Sequence, residues 1–232
     1  MDSKEYRKIA HRGFHSSDAP ENSMAAFAKA IENKYTIELD IHITKDGTLV
    51  IFHDFTLVRM TGIKKDIEDC TYKELSTYKL NNTEEKIPTL KEVLRQVNGS
   101  VPLLLEIKNN GIPGKLEKEL IRMLRKYKGK YMVQSFNLLS LIYLRKNAPH
   151  IKRGKLATKV KRKFPDKLTD MFLTMEAAPN FISYKLEDVT MSLINKCKIQ
   201  RKPLFVWTVR TKEDYLKAKK KYSGVIFENI KI

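Results

Sequence analysis

Cysteine is nearly absent: Cys70 and Cys197 are the two in 232 residues. They stand far apart and in no metal-ligand spacing, so neither a disulfide scaffold nor a zinc framework is expected, and a reducing compartment suits the chain. No run approaches the ~18 apolar residues of a membrane-spanning helix. The segment Met1–Lys8 is polar and lacks the apolar core of a signal peptide, which makes a cytoplasmic location the expectation. No G-x-G-x-x-G follows a strand-like run, so no dinucleotide site is expected. Acidic residues are scarce beside basic ones, 27 against 45, giving a net charge of +18 and a pI near 9.7. Such an excess favours anionic partners: phosphorylated small molecules, anionic lipid or nucleic acid. A surface merely solvated by lysines has the same composition, so nucleic acid is not expected on charge alone. Hydrophobic residues make up 42% of the chain, which excludes disorder, and the length suits one core.

What is present concentrates in Ile9–Asp54. His11-Arg12-Gly13, Pro20-Glu21-Asn22-Ser23, Glu38-Leu39-Asp40, Asp46-Gly47 and His53-Asp54 follow one another, each beside a short apolar run. From Thr36 to Ile43 the pattern alternates, so Glu38, Asp40 and His42 share one side of a strand while Leu39, Ile41 and Ile43 share the other. Two carboxylates side by side repel unless a positive charge sits between them, and hard divalent cations such as Mg²⁺ or Ca²⁺ take oxygen ligands of this kind. Standing alone, such a pair would be read as a solvated face.

The rest of the chain beats regularly. Strands are predicted at Lys8–His11, Thr36–Ile43, Val101–Ile107, Met132–Phe136, Arg153–Thr158, Asn180–Tyr184, Pro203–Val209 and Gly224–Phe227, with Leu49–His53 as a companion to the second. Helices are predicted over 22–33, 89–97, 114–127, 138–145, 165–175, 189–200 and 212–221, from apolar residues at i, i+3, i+4 and i+7. Alternation of this kind argues parallel βαβ units, and eight of them predict an α/β fold of the closed (β/α)₈ TIM-barrel type, with an open doubly wound sheet as the alternative. The whole chain, 1–232, reads as one domain. Residues 55–88 break the beat; they read as a short excursion, because some 30 residues cannot build a core alone. In such a barrel the site forms at the C-terminal ends of the strands. His11, Glu38, Asp40, His53, Glu106, Lys108 and Trp207 all fall there.

The ordered set of motifs resembles the glycerophosphodiester phosphodiesterase family, with shorter matches at Leu105-Glu106-Ile107-Lys108, Gln134-Ser135-Phe136 and Trp207-Thr208-Val209. The resemblance implies that Glu38, Asp40 and Glu106 hold one divalent cation, Mg²⁺ or Ca²⁺. It implies that His11 and His53 are the catalytic acid–base pair. Arg12, Lys108 and Trp207 would then bind substrate, the first two at phosphate and the tryptophan against the alcohol. It also implies that the excursion at 55–88 covers the active site. The sequence departs from the family pattern at Arg210, after the W-T-V motif, and at Phe227-Glu228-Asn229 in place of a threonine-aspartate near the last strand.

These roles suit phosphodiester chemistry. Negative oxygens repel a nucleophile, and fixed cations offset that charge. Two imidazoles can remove one proton and deliver another near neutral pH. The expected function is metal-dependent hydrolysis of a small-molecule glycerophosphodiester to glycerol 3-phosphate and an alcohol, the nucleophile being water or the substrate's own hydroxyl. A lysophospholipase D is the alternative, with Phe14, Phe55, Met60 and Ile63 lining an apolar groove; a non-catalytic polyanion binder is the third reading. Asn22 is expected chiefly to cap a helix, as Ser23 also could. The basic run Lys155, Lys159, Lys161, Arg162 and Lys163, with Lys185 and Arg210, is expected to form a cationic collar at the mouth, drawing in anionic diesters or touching an anionic membrane.

Overall fold

The computed structural model describes residues 6–159 and 167–232. Strands run at Lys8–Ala10 (β1), Thr36–Ile43 (β2), Leu49–Ile51 (β3), Leu103–Ile107 (β4), Tyr131–Ser135 (β5), Arg153–Ala157 (β6), Phe181–Lys185 (β7), Leu204–Val209 (β8) and Gly224–Phe227 (β9). Helices run at Met24–Glu32 (α1), Val58–Thr61 (α2), Tyr72–Leu75 (α3), Leu90–Val97 (α4), Lys115–Leu124 (α5), Leu138–Asn147 (α6), Lys167–Ala177 (α7), Met191–Ile199 (α8) and Lys212–Lys221 (α9). The strand order β1-β9-β8-β7-β6-β5-β4-β2, closed by parallel β1–β2 pairing, makes an eight-stranded parallel barrel, the predicted TIM barrel. β3 is appended antiparallel to the end of β2.

Side-chain parity divides the core into two layers. Ile37, Leu39 and Ile41 of β2 and Leu103, Leu105 and Ile107 of β4 pack outward with buried residues of α1, α4 and α5. Ile9, Leu104, Met132, Phe181, Phe205 and Ile226 fill the lumen. Gly154 is required there, because a Cβ on it would lie 2.1 Å from the Phe181 ring, which stacks at 4.8 Å on Phe205. Residues 55–88 form short helices α2 and α3 over a satellite cluster in which Leu57, Met60, Ile67 and Leu75 pack on Val50 and Phe52. The excursion thus draws its core from β3, not from itself alone. No helix among the described residues is long and apolar enough to cross a membrane.

Candidate active site

Register builds the site. Glu38 pairs with Leu104, and Asp40 with Glu106, so the lumen-facing parity of Leu104 carries all three carboxylates inside the barrel at its C-terminal end. Their oxygens lie within 4.8 Å of one another, and all three residues are buried. Lys108, after β4, lies 2.7 Å from Glu106 Oε1 and 3.1 Å from Asp40 Oδ1. Burial alone would lower the Lys108 pKa, but the two carboxylates outweigh it and raise it. Burial, with Asp40 and Glu106 beside it, pushes Glu38 well above the usual carboxylate range. Burial also pushes Glu106 to about 7, against the pull of Lys108, while Lys108, His53 and Arg12 overcome burial to hold Asp40 low. The trio is therefore short of positive charge. Three oxygen donors so close, with too little positive charge beside them, fit a hard divalent cation.

A tight turn after β1 presents the first histidine. Gly13 (φ +82°) brings the chain against Ala26, where a Cβ would stand 2.9 Å from its neighbour. Arg12 adopts φ 56°, which directs its backbone N–H to Glu38 Oε2 at 2.9 Å; such a conformation costs about 1–2 kcal/mol outside glycine and is repaid by that charge-assisted bond. His11 Nδ1 donates to Glu228 Oε2 at 3.2 Å, and His53 Nδ1 donates to Asp54 Oδ1 at 2.6 Å. Each imidazole thus has a carboxylate that fixes its tautomer and leaves Nε2 for chemistry. Burial lowers the pKa of both, partly offset by Glu228 at His11 and by Asp40 at His53.

Arg12 Nη1 donates to Glu21 at 2.8 Å, and its Nε lies 3.6 Å from Asp40. Arg59, from the excursion, bridges Glu21 and Asp54 at 2.6 Å each. The excursion is thereby tied to the two histidine-bearing loops. Trp207 packs edge-to-face on Phe136, its buried indole N–H without a hydrogen-bond partner among the described residues. His42 packs under the site against Phe55; burial lowers its pKa to about 4, and its Nε2 faces the His53 carbonyl at 3.4 Å.

Four expectations need correction or restriction. Ser23 caps α1, accepting from Ala26 N, whereas Asn22 donates its side-chain amide to Asp40 at 2.9 Å and so orients a carboxylate of the site. Phe14, Phe55, Met60 and Ile63 line no common groove. Phe14 packs on the main core, Met60 and Ile63 belong to the satellite cluster, and Phe55 alone is exposed. Of the basic collar, Lys161, Arg162 and Lys163 lie outside the described residues. Lys155 is bound to Asp170 at 2.6 Å, and Lys185 and Arg210 face Glu187 and Glu228. In the sequence Glu228 stands only as a departure from the family pattern. Its position one residue beyond the last strand, opposite His11 in a ring that must close, was the signal for its role.

The fold and the site define a barrel hydrolase that gathers carboxylates near two oriented imidazoles. The model of the glycerophosphoryl diester phosphodiesterase family matches residues 11–232, and the chain belongs to that family. A glycerophosphodiester phosphodiesterase of Caldanaerobacter subterraneus subsp. tengcongensis is 36% identical over 221 residues, covering 89% of this chain and 86% of that protein. One from Bacillus altitudinis is 32% identical, covering 88% and 86%. A lysophospholipase D of Rattus norvegicus is 34% identical over 140 residues, 54% of this chain and 43% of its own length. Among solved structures, an Oleispira antarctica phosphodiesterase in complex with the product sn-glycerol-3-phosphate superposes with a TM-score of 0.84 at 23% identity, covering 96% and 92%. A Thermotoga maritima glycerophosphodiester phosphodiesterase superposes with a TM-score of 0.77 at 27% identity, covering 95% and 94%.

Proposed function

We propose that the chain hydrolyses water-soluble glycerophosphodiesters to glycerol 3-phosphate and an alcohol, with Glu38, Asp40 and Glu106 holding one divalent cation and His11 and His53 moving the protons. The observation that carries the reading is the carboxylate trio, short of positive charge, near imidazoles fixed by Glu228 and Asp54. When bound, such a cation supplies charge that offsets the phosphate oxygens. Arg12 and Lys108, already held at fixed positions, add positive charge for the same oxygens. One imidazole takes the proton of the attacking hydroxyl as its oxygen bonds to phosphorus. The other gives a proton to the alkoxide as the bond from phosphorus to the alcohol oxygen breaks. Trp207 on Phe136 offers an apolar wall for the alcohol. The excursion at 55–88, tied down through Arg59, covers one side of the mouth. Soluble diesters are favoured over lysolipids because the four apolar residues suited to an acyl chain do not come together.

The test is release of glycerol 3-phosphate from a panel of diesters including glycerophosphocholine and a long-chain lysolipid. Activity should vanish in EDTA and return with excess Mg²⁺ or Ca²⁺, and fall at least ~10²-fold in each of His11→Ala, His53→Ala and Glu38→Ala. Full turnover in EDTA, or in either histidine variant, would defeat the reading. A lysolipid preferred over glycerophosphocholine would replace the substrate class.

A further inference from the structure

Among the described residues the positive charge is not spread evenly, nor does it gather at the mouth. Seven connections return from a helix to the next barrel strand, and all lie at the base, the end opposite the site. They carry eight Lys and Arg and no Asp or Glu. The last turns of the helices that lead into them add nine more cations, against Glu32 and Glu176, and a tenth, Lys29, reaches back to Asp18 at 2.8 Å. Most of the net +18 therefore sits on one face. Among the described residues the mouth is mixed in sign, with Glu21, Asp54 and Glu228 answering Arg12, Arg59 and Arg210. Helix dipoles favour a cation in each last turn, but their effect fades beyond it, and they do not account for the eight in the connections.

The base also has a seat. Between the ends of α4 and α5 lies a cavity of about 770 Å³, with Arg95, Lys126 and Lys128 around Leu94, Met123 and Tyr127. The three cations are exposed and the apolar residues are buried or half-buried. Cations over an apolar floor match a phosphate head group followed by its first methylenes. We propose that the base docks the barrel on a membrane rich in anionic phospholipid, with one head group in this cavity. The alternative polyanion, nucleic acid, fits the face less well. No connection at the base exceeds six residues, so none of them protrudes to enter a groove. The tyrosine of the cavity is occupied: Tyr127 accepts from Gly99 N and packs on Tyr131, so it is not a free stacking platform of the kind single strands use. Ile199, 83% exposed among Lys196, Lys198 and Arg201, suits a lipid interface and not a phosphate backbone. Docked in this way, the barrel turns its mouth away from the bilayer, toward water.

Partition onto sedimented vesicles tests this without any turnover readout. Vesicles with roughly a third phosphatidylglycerol should capture the protein, pure phosphatidylcholine should not, and high salt should release it. Each cation close to an anionic leaflet contributes roughly five-fold to partition, so Arg95→Glu/Lys126→Glu/Lys128→Glu, which also adds repulsion, should bind at least ~100-fold more weakly. The charge-matched triple Lys64→Glu/Lys73→Glu/Lys86→Glu, on the excursion, should bind like the parent. Lys219→Glu/Lys220→Glu/Lys221→Glu, at the exposed end of α9, provides a second base variant should the first not fold. Absence of capture overturns the proposal, as does equal loss in base and excursion variants. So does binding of an oligonucleotide without binding of vesicles.

Discussion

Replacing Glu228 probes whether His11 is positioned by a residue 217 positions away. The carboxylate meets His11 Nδ1 at 3.2 Å, His15 Nε2 at 3.6 Å and Arg210 at 3.2 Å. The His11 bond pulls the Glu228 pKa down to about 2, against burial, so the group is ionised throughout the working range. Glu228→Gln keeps an acceptor and hence the tautomer, but removes the charge. A charge-assisted bond is about twice as strong as a neutral one. At the long distance seen here the difference is about 1 kcal/mol, or roughly five-fold in kcat if the bond strengthens in the transition state. Glu228→Ala also frees the ring to turn, and should cost on the order of 100-fold. The pH profile carries the sharper test. Burial lowers the His11 pKa and Glu228 partly restores it, so its loss must lower that pKa further. The limb of the kcat/KM profile that His11 governs should move to lower pH in Glu228→Gln. An acidic limb that moves marks His11 as the base; an alkaline limb that moves marks it as the acid. Profiles of parent and both variants that superpose, with kcat within two-fold, would refute a positioning role for Glu228.

Three further outcomes concern stability. In EDTA, Glu106 binds its proton up to about pH 7 when folded and only to its ordinary 4.5 when unfolded; the folded state thus holds more protons in that window, and Tm should fall as pH rises through it. Glu38→Gln should raise the EDTA Tm by relieving repulsion in the trio, worth on the order of 1–3 kcal/mol, and should abolish the Tm gain from Mg²⁺ or Ca²⁺. A flat EDTA profile, or an undiminished cation response in the variant, would contradict this account. Gly154→Ala sets a methyl 2.1 Å from a ring that is itself stacked on Phe205, and should cost about 2–3 kcal/mol in urea unfolding; a change under about 0.5 kcal/mol would mean the lumen repacks freely.

The barrel was legible because its signals are local. Alternation in β2 puts Glu38 and Asp40 on one face, the same two-residue parity joins Glu106 to Lys108, and helical spacing marks the segments between strands. Strand ends then name the neighbourhood of the site with no knowledge of distance. What stayed hidden depends on closure. Glu228 meets His11 only because β9 pairs beside β1, with His11 N on the Phe227 carbonyl at 2.9 Å. Arg59 reaches Glu21 and Asp54 only because the excursion folds back over its satellite core. Asn22 and Ser23 are both competent caps by composition, and a positive φ of 59° at Asn22 decides which one faces Asp40.

Charge was the least legible property, since composition supplies the sum and not the address. Of the collar expected at the mouth, Lys155 is spent on Asp170 and residues 161–163 lie outside the described residues, while the densest cations among the described residues lie at the other end. The topology explains why this separation is tolerated. In a (β/α)₈ barrel every helix C-terminus points to the base, so cations there are favoured locally by helix ends while remaining a barrel's length from the carboxylate trio. At that distance ionic screening leaves the Glu38–Asp40–Glu106 cluster largely untouched by the base, with a screening length of about 8 Å at physiological salt. The acidic cluster can therefore stay short of positive charge, as holding a dication requires, on a chain that carries a net +18. Had the same lysines lined the mouth, they would have neutralised the trio and competed with the ion.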